Sequence, residues 1–178
     1  MRRFLLILFI CCILLNTIVP VIYYSMGEIT DFNFIFKYDV GGSSVLNTYD
    51  NTYTRSGAPY ITMKLDKFEV YEIFSDMKKI DIFNYPESFP EYIFVTPKSE
   101  FYLEVTYKKE KKVIKWTSDN MPPFSIDTKT GKIKFDDAKR DKYIINLQKM
   151  VIRIMKIIEA KPEYKNLPER KALYAINN

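Results

Sequence analysis

Apolar and polar positions divide this chain into two regimes. Directly after Met1-Arg2-Arg3 the residues from Phe4 to Tyr24 are apolar on every side, broken only by Asn16, Thr17 and Pro20. Beyond Tyr24 no comparable run recurs, and the pattern turns periodic. A bilayer core of about 30 Å needs roughly 20 apolar residues as a helix, so the first segment is long enough to span. Two arginines ahead of it hold the N-terminus in the cytoplasm and deliver whatever follows to the outer side. A secretory signal peptide has the same basic start and apolar stretch, and Ser25-Met26-Gly27 offers small residues near a cleavage point. The length of the stretch and bulky Tyr23 and Tyr24 favour a retained anchor. Lipid attachment at Cys11 is disfavoured, because Leu8-Phe9-Ile10 puts Ile where a lipobox carries a small residue. A buried helix of a cytosolic protein is rarely apolar on every face. The expectation is a signal anchor or signal peptide over residues 1–27 and one extracytoplasmic domain over residues 28–178.

The periodic part predicts a series of hairpins and two helices. Phe32, Phe34, Phe36 and Tyr38 alternate with Asn33, Ile35 and Lys37, the period of a strand with one buried face. Gly41-Gly42-Ser43-Ser44 supplies a turn, and Val45 to Asp50, extending toward Arg55, forms a second strand rich in Thr and Tyr. Ser56-Gly57-Ala58-Pro59 breaks it, and Tyr60 to Leu65 predicts a third. Asp66 followed by Glu69 has the layout of a capping box, so a helix starts there with Val70, Ile73, Phe74, Met77 and Ile80 on one stripe. Asp81 to Pro86 ends the helix, and Pro86, Pro90 and Pro97 mark an irregular loop. Phe101 to Tyr107, a turn over Lys108 to Lys112, and Val113 to Trp116 predict another hairpin. Ser125 to Ile133 reads as a small third one, with Gly131 taking a positive φ. From Asp137 to Lys161 a long helix carries Ile144, Leu147, Val151, Ile154 and Ile158 on one face, widened by Met155, until Pro162 stops it. This order predicts an α+β fold: an antiparallel sheet of hairpins with two helices packed on one face, preceded by the N-terminal hydrophobic helix.

Composition narrows the picture. Without the leader about 150 residues remain, one ordinary domain's worth with enough Phe, Ile, Leu and Val for a core. Both cysteines, Cys11 and Cys12, lie in the leader, so the domain holds no disulfide and depends on packing. The formal charge is +5, or +3 without Arg2 and Arg3, too mild for the concentrated basic face of a nucleic-acid binder. Lys108, Lys109, Lys111 and Lys112 cluster with Glu110 as a solvated turn, whose functional reading is a weak attraction to anionic headgroups or wall polymers. The 14 Tyr and 13 Phe suggest a carbohydrate-binding surface, but a chain also rich in Ile, Lys and Asn shows the bias of an AT-rich coding sequence.

Absent residue types exclude most common enzyme chemistry. With no His there is no Ser-His-Asp triad, imidazole acid-base pair or His-ligated zinc. With no Cys beyond the leader, thiol nucleophiles and thiolate metal sites are excluded as well. No phosphate-binding glycine loop, dinucleotide fingerprint or nucleophile elbow occurs. A carboxylate pair would suffice for glycoside hydrolysis, and Glu87, Glu91, Glu100 and Glu104 lie around the Pro-rich loop and the following strand. With 22 Asp and Glu in 178 residues, however, some such pair arises in any chain of this kind. Asp39, Asp50 and Asn51 offer oxygen ligands for calcium, but no EF-hand spacing occurs and turn chemistry explains them more simply. No cofactor and no metal is expected. Trp116, the single Trp, is either an exposed sugar-stacking platform or, by the usual burial of a strand aromatic, a core residue. For binding, the first places to look are the strand of Tyr49, Tyr53 and Arg55 and the loop from Tyr85 to Lys98, with Trp116 a further candidate.

Two resemblances follow from local motifs. Ser125 to Ile133 resembles the F-x-I-D-x-x-T-G-x-I stretch of cadherin-type repeats over nine residues, without the calcium-binding linkers of that family. Phe36-Lys37-Tyr38-Asp39, Leu46-Asn47-Thr48-Tyr49, Ile80 to Pro86 and Glu159 to Lys165 together resemble uncharacterised small exported bacterial proteins. That resemblance implies a leader and one domain, with no activity and no functional residue to transfer. The expected function is a non-catalytic binding or interaction module at the bacterial cell envelope, held to the membrane through the N-terminal helix or secreted. Its expected partner is an envelope polymer or another envelope protein, with no nucleic acid. The rival expectation is a carboxylate-dependent hydrolase of envelope glycans.

Overall fold

A computed structural model describes residues 29–90, 97–120, 124–126, 133–135 and 142–169. The leader, Glu91 and Gly131 lie outside the described residues. The chain divides into two compact units, residues 1–31 and 32–178, and every strand and helix described belongs to the second. Among the described residues no helix is long and apolar enough to cross a membrane.

The fold is α+β. Six antiparallel strands form one sheet in the order β4-β3-β2-β1-β5-β6: β1 Phe32–Tyr38, β2 Ser44–Asn47, β3 Thr52–Thr54, β4 Ile61–Thr62, β5 Glu100–Tyr107 and β6 Glu110–Thr117. A separate pair, β7 Phe124–Ile126 and β8 Ile133–Phe135, forms the small hairpin expected there. The helices are α1 Lys67–Lys79, α2 Lys142–Ala160 and the short α3 Pro162–Lys165.

Alternation in β1 sets the buried face, and register carries it across the sheet. Phe36 stands opposite Leu46 on one side and Leu103 on the other; Leu46 then faces Tyr53, and Leu103 faces Ile114. All five of these side chains are fully buried. A one-residue slip would turn this whole row to solvent, so burial itself fixes the pairing. Phe74 of α1 meets Phe32 and Tyr107 at ring-centroid distances of 5.1 and 4.7 Å, and Tyr164 of α3 meets Tyr53 at 5.8 Å. Both helices therefore touch the same face as the phenylalanine row.

The capping box forms as its residues dictate. Asp66 Oδ1 accepts from the Phe68 and Glu69 amides at 2.8 and 2.9 Å, and Glu69 Oε2 accepts from the Asp66 amide at 2.7 Å. Lys161, at the end of α2, also pairs with Glu69, which ties the last helical turn to the first turn of α1. Arg153 of α2 pairs with Glu72 and Asp76 of α1. In α2, Ile144, Leu147, Val151, Ile154 and Ile158 are buried as the periodicity predicts, and Met150 joins them.

Several boundaries differ from expectation. The predicted second strand is two strands, because Asn47 Oδ1 accepts from the Tyr49 amide, Asp50 Oδ1 from the Thr52 amide, and Asn51 turns the chain at φ 56°. Side-chain turns of this kind compete successfully with strand pairing where Asn and Asp concentrate. The third strand shrinks to Ile61–Thr62. Glu110 to Lys112 belong to β6 rather than to a turn, and the hairpin closes over Lys108, at φ 55°, and Lys109. Pro162 ends α2 but also opens α3 at its first position, where proline's missing amide costs nothing.

Candidate functional site

The residues of β1, β5 and β6 that alternate with the buried row form the opposite face, which none of the ring contacts of α1 or α3 reaches. Val45, Lys37, Tyr102 and Lys115 make one row across four strands, and Asn47, Ile35, Glu104 and Val113 make the next. Asn33, Thr106 and Lys111 follow across three. Large rings and charges share this surface, where the other face is almost wholly apolar.

Its side chains are joined to one another. Lys37 Nζ lies 5.1 Å from the centre of the Tyr102 ring, and the Tyr102 hydroxyl donates to Glu104 Oε2 at 2.7 Å. Lys111 Nζ reaches the other oxygen of Glu104 at 2.9 Å. Tyr49 closes the row beyond, its hydroxyl 2.8 Å from Thr106 Oγ1. Hydrogen bonds from Lys111 and Tyr102 hold the Glu104 carboxyl below its ordinary range. Burial first, and then the hydrogen bond and charge of Glu104, push the Tyr102 phenol up to about 12. The same carboxylate raises Lys111 through their hydrogen bond. Glu104 is thus ionised at neutral pH and unsuited to donate a proton to a leaving group, whereas a glycosidase acid requires a raised pKa.

One end of this face deepens into a groove of about 530 Å³. Lys37, Tyr102, Lys115 and Glu100 come from the sheet, Gly41 and Gly42 from the β1–β2 turn, and Ser88 and Phe89 from the loop after α1. Asn120 fixes that loop: its Nδ2 donates to the Phe89 and Pro90 carbonyls at 2.9 Å each, while its Oδ1 accepts from the Thr117 amide at 2.6 Å. The Lys115 amide donates to the Glu87 carbonyl at 3.1 Å, so the loop also covers part of the outer edge of β6. On the other wall, Gly41 and Gly42 take φ of 63° and 61°, and the Gly42 amide returns to the Asp39 carbonyl at 3.0 Å. Two successive left-handed residues are cheap only for glycine.

The structure does not bring the four expected binding residues together. Tyr49 is 46% exposed and belongs to the open face. Tyr53 is fully buried on the other side, its hydroxyl 2.8 Å from that of Tyr38. Arg55 is buried, lies 5.2 Å from the centre of the Tyr164 ring, and donates to the Pro168 carbonyl. Trp116 is 3% exposed and stacks on Phe101 at 5.2 Å, a core position that only borders the groove. Among the other candidates, Glu100 lines the groove, Glu104 is held by Lys111 and Tyr102, and Glu87 contributes its carbonyl to the edge of β6. Asp39 accepts from Ser44 Oγ at 2.8 Å, and Asp50 from Asn47 and Thr52, which are turn contacts. Among the described residues no group of three His, Cys, Asp or Glu side chains converges as a metal site would require.

No family model, no curated protein and no solved structure matches this chain.

Proposed function

We propose that the chain is a non-catalytic binding module of the bacterial cell envelope, tethered or secreted through its leader, with the open sheet face as its contact surface. The observation that supports this reading most is the division of the sheet. One face is packed shut, while the other presents an ordered network of Lys, Tyr, Glu and Thr side chains leading into a groove. The apolar run after Met1-Arg2-Arg3 supports an extracytoplasmic address, and the absence of His removes the commonest general acid-base group. Glu104, held ionised by Lys111 and Tyr102, is unsuited to be the proton donor that a carboxylate-dependent hydrolase needs. The test is cosedimentation of the purified full-length protein with an isolated envelope-polymer fraction, with sugar release assayed in the same tubes. Saturable binding without release of reducing ends is expected. Release of reducing ends, or no saturable binding to any envelope fraction, overturns the proposal.

A further inference from the structure

We infer that the groove binds an acidic polysaccharide, with carboxylates of the sugar chain received by Lys37 and Lys115 and a sugar ring lying at Tyr102. This assignment rests on the reading of the chain as an envelope binding module, and it specifies the ligand of the same site.

Three observations define the ligand. Lys37 and Lys115 flank Tyr102 in one cross-strand row, so their stems start two strand spacings apart, about 10 Å, roughly the span of two pyranose rings. Neither lysine forms an ion pair with a carboxylate among the described residues, and both are exposed. The Lys37 ammonium rests beside the Tyr102 ring, and neither lysine's charge is neutralised by an ion pair among these residues. Among the described residues Glu100 is the one carboxylate on the groove wall, while the charge of Glu104 is already engaged by Lys111 and the Tyr102 hydroxyl. Among the described residues an anion in the groove therefore meets the ammonium groups of Lys37 and Lys115 against the carboxylate of Glu100.

The Tyr102 ring and the hydroxyls of Thr117 and Ser88 supply the second part of the chemistry. An aromatic ring offers a flat apolar surface with a polar tip, and here the tip is fixed by its bond to Glu104, so the ring is held in place before any ligand arrives. Thr117 and Ser88 stand on the groove walls, where hydroxyls can exchange hydrogen bonds with sugar hydroxyls. Lysine ammonium groups on flexible stems act as point charges and accept a carboxylate without the planar fork that arginine imposes. A groove of about 530 Å³ suits one or two sugar rings.

The test uses the one Trp of the chain as its own reporter, since Trp116 borders the groove. Full-length protein is titrated with an oligogalacturonate of defined length, a neutral oligosaccharide of equal length, and inorganic polyphosphate, with Trp fluorescence as the readout. A saturable change with oligogalacturonate, a response at least tenfold weaker with both other probes, and at least tenfold weaker binding by the Lys37→Gln/Lys115→Gln double variant are expected. Both lysines are exposed, so the double variant keeps its thermal midpoint, and that midpoint is measured alongside. No saturable change with oligogalacturonate overturns the assignment, and so does equal binding of polyphosphate or of the double variant. If envelope cosedimentation persists in the double variant, the ligand assignment fails while the binding-module reading stands. If wild type binds no envelope fraction, both fall.

Discussion

The two faces of the central sheet are built from the same strands, one residue out of step, yet they do opposite work. On one face Phe34, Phe36, Leu46, Tyr53, Leu103 and Ile114 are fully buried, and α1 and α3 bring Phe74 and Tyr164 against it. On the other, Lys37, Tyr102, Glu104, Thr106 and Lys111 interact side by side at the surface. Burial of an aromatic or aliphatic side chain contributes about 1.5–3 kcal/mol, whereas a surface ion pair contributes little because water and salt screen it. Stability therefore resides in the closed face. The open face, with its exposed or half-buried polar side chains, contributes less to stability, as the proposed binding role requires.

The largest effect that separates the faces is a cavity on the closed side. Phe34→Ala should lower unfolding stability by about 3–5 kcal/mol in denaturant titration, while Lys37→Gln, three residues on and facing outward, should change it by less than about 0.5 kcal/mol. Comparable losses at both positions would erase the distinction. Asp66→Ala comes next: it removes the side chain that caps α1 and should cost about 1 kcal/mol, read from the same titrations. Lys108→Gly tests the opposite sign. Lys108 closes the β5–β6 hairpin at φ 55°, which strains any residue with a Cβ, so glycine should raise stability by up to about 1 kcal/mol.

The smallest effect is electrostatic and depends on pH. The folded carboxyl of Glu104 titrates below its ordinary range because Lys111 and then Tyr102 hydrogen-bond to it. Such a group contributes stability that is fully present above its unfolded pKa of about 4.3 and is lost as pH falls through the folded value. Wild type should therefore exceed Glu104→Gln in denaturation midpoint at neutral pH, with the gap closing under acid conditions. A gap that widens as pH falls would show that the network does not stabilise the charged form.

Much of the closed face was legible in the sequence, and little of the open one. The run Phe32, Phe34, Phe36, Tyr38 declares its buried side without any partner, and the Asp66/Glu69 cap and the α2 stripe are equally local signals. Strand boundaries around Tyr49 and Asn51 were less legible, because Thr and Tyr favour a strand while Asn47 and Asp50 enforce a turn, and only the closed hydrogen bonds show which prevails. The groove was not legible at all. The β5–β6 hairpin was expected, but its register was not, and nothing in the periodicity pairs β1 with β5, which together make Lys37, Tyr102 and Lys115 neighbours. Alternation along β3 does not carry through the Asn51 turn, so Tyr49 and Tyr53, taken together from sequence, end on opposite faces.

The most direct test of this division places one thiol on each side of the same strand. In full-length protein with Cys11→Ser and Cys12→Ser, Lys115→Cys faces the groove and Ile114→Cys faces the closed core. Under native conditions a thiol reagent should modify the position-115 variant at close to the rate of an unfolded control, and the position-114 variant at least a hundredfold more slowly. Equal rates at the two positions, in proteins shown to be folded, would contradict the division of the sheet into a closed, stabilising face and an open one.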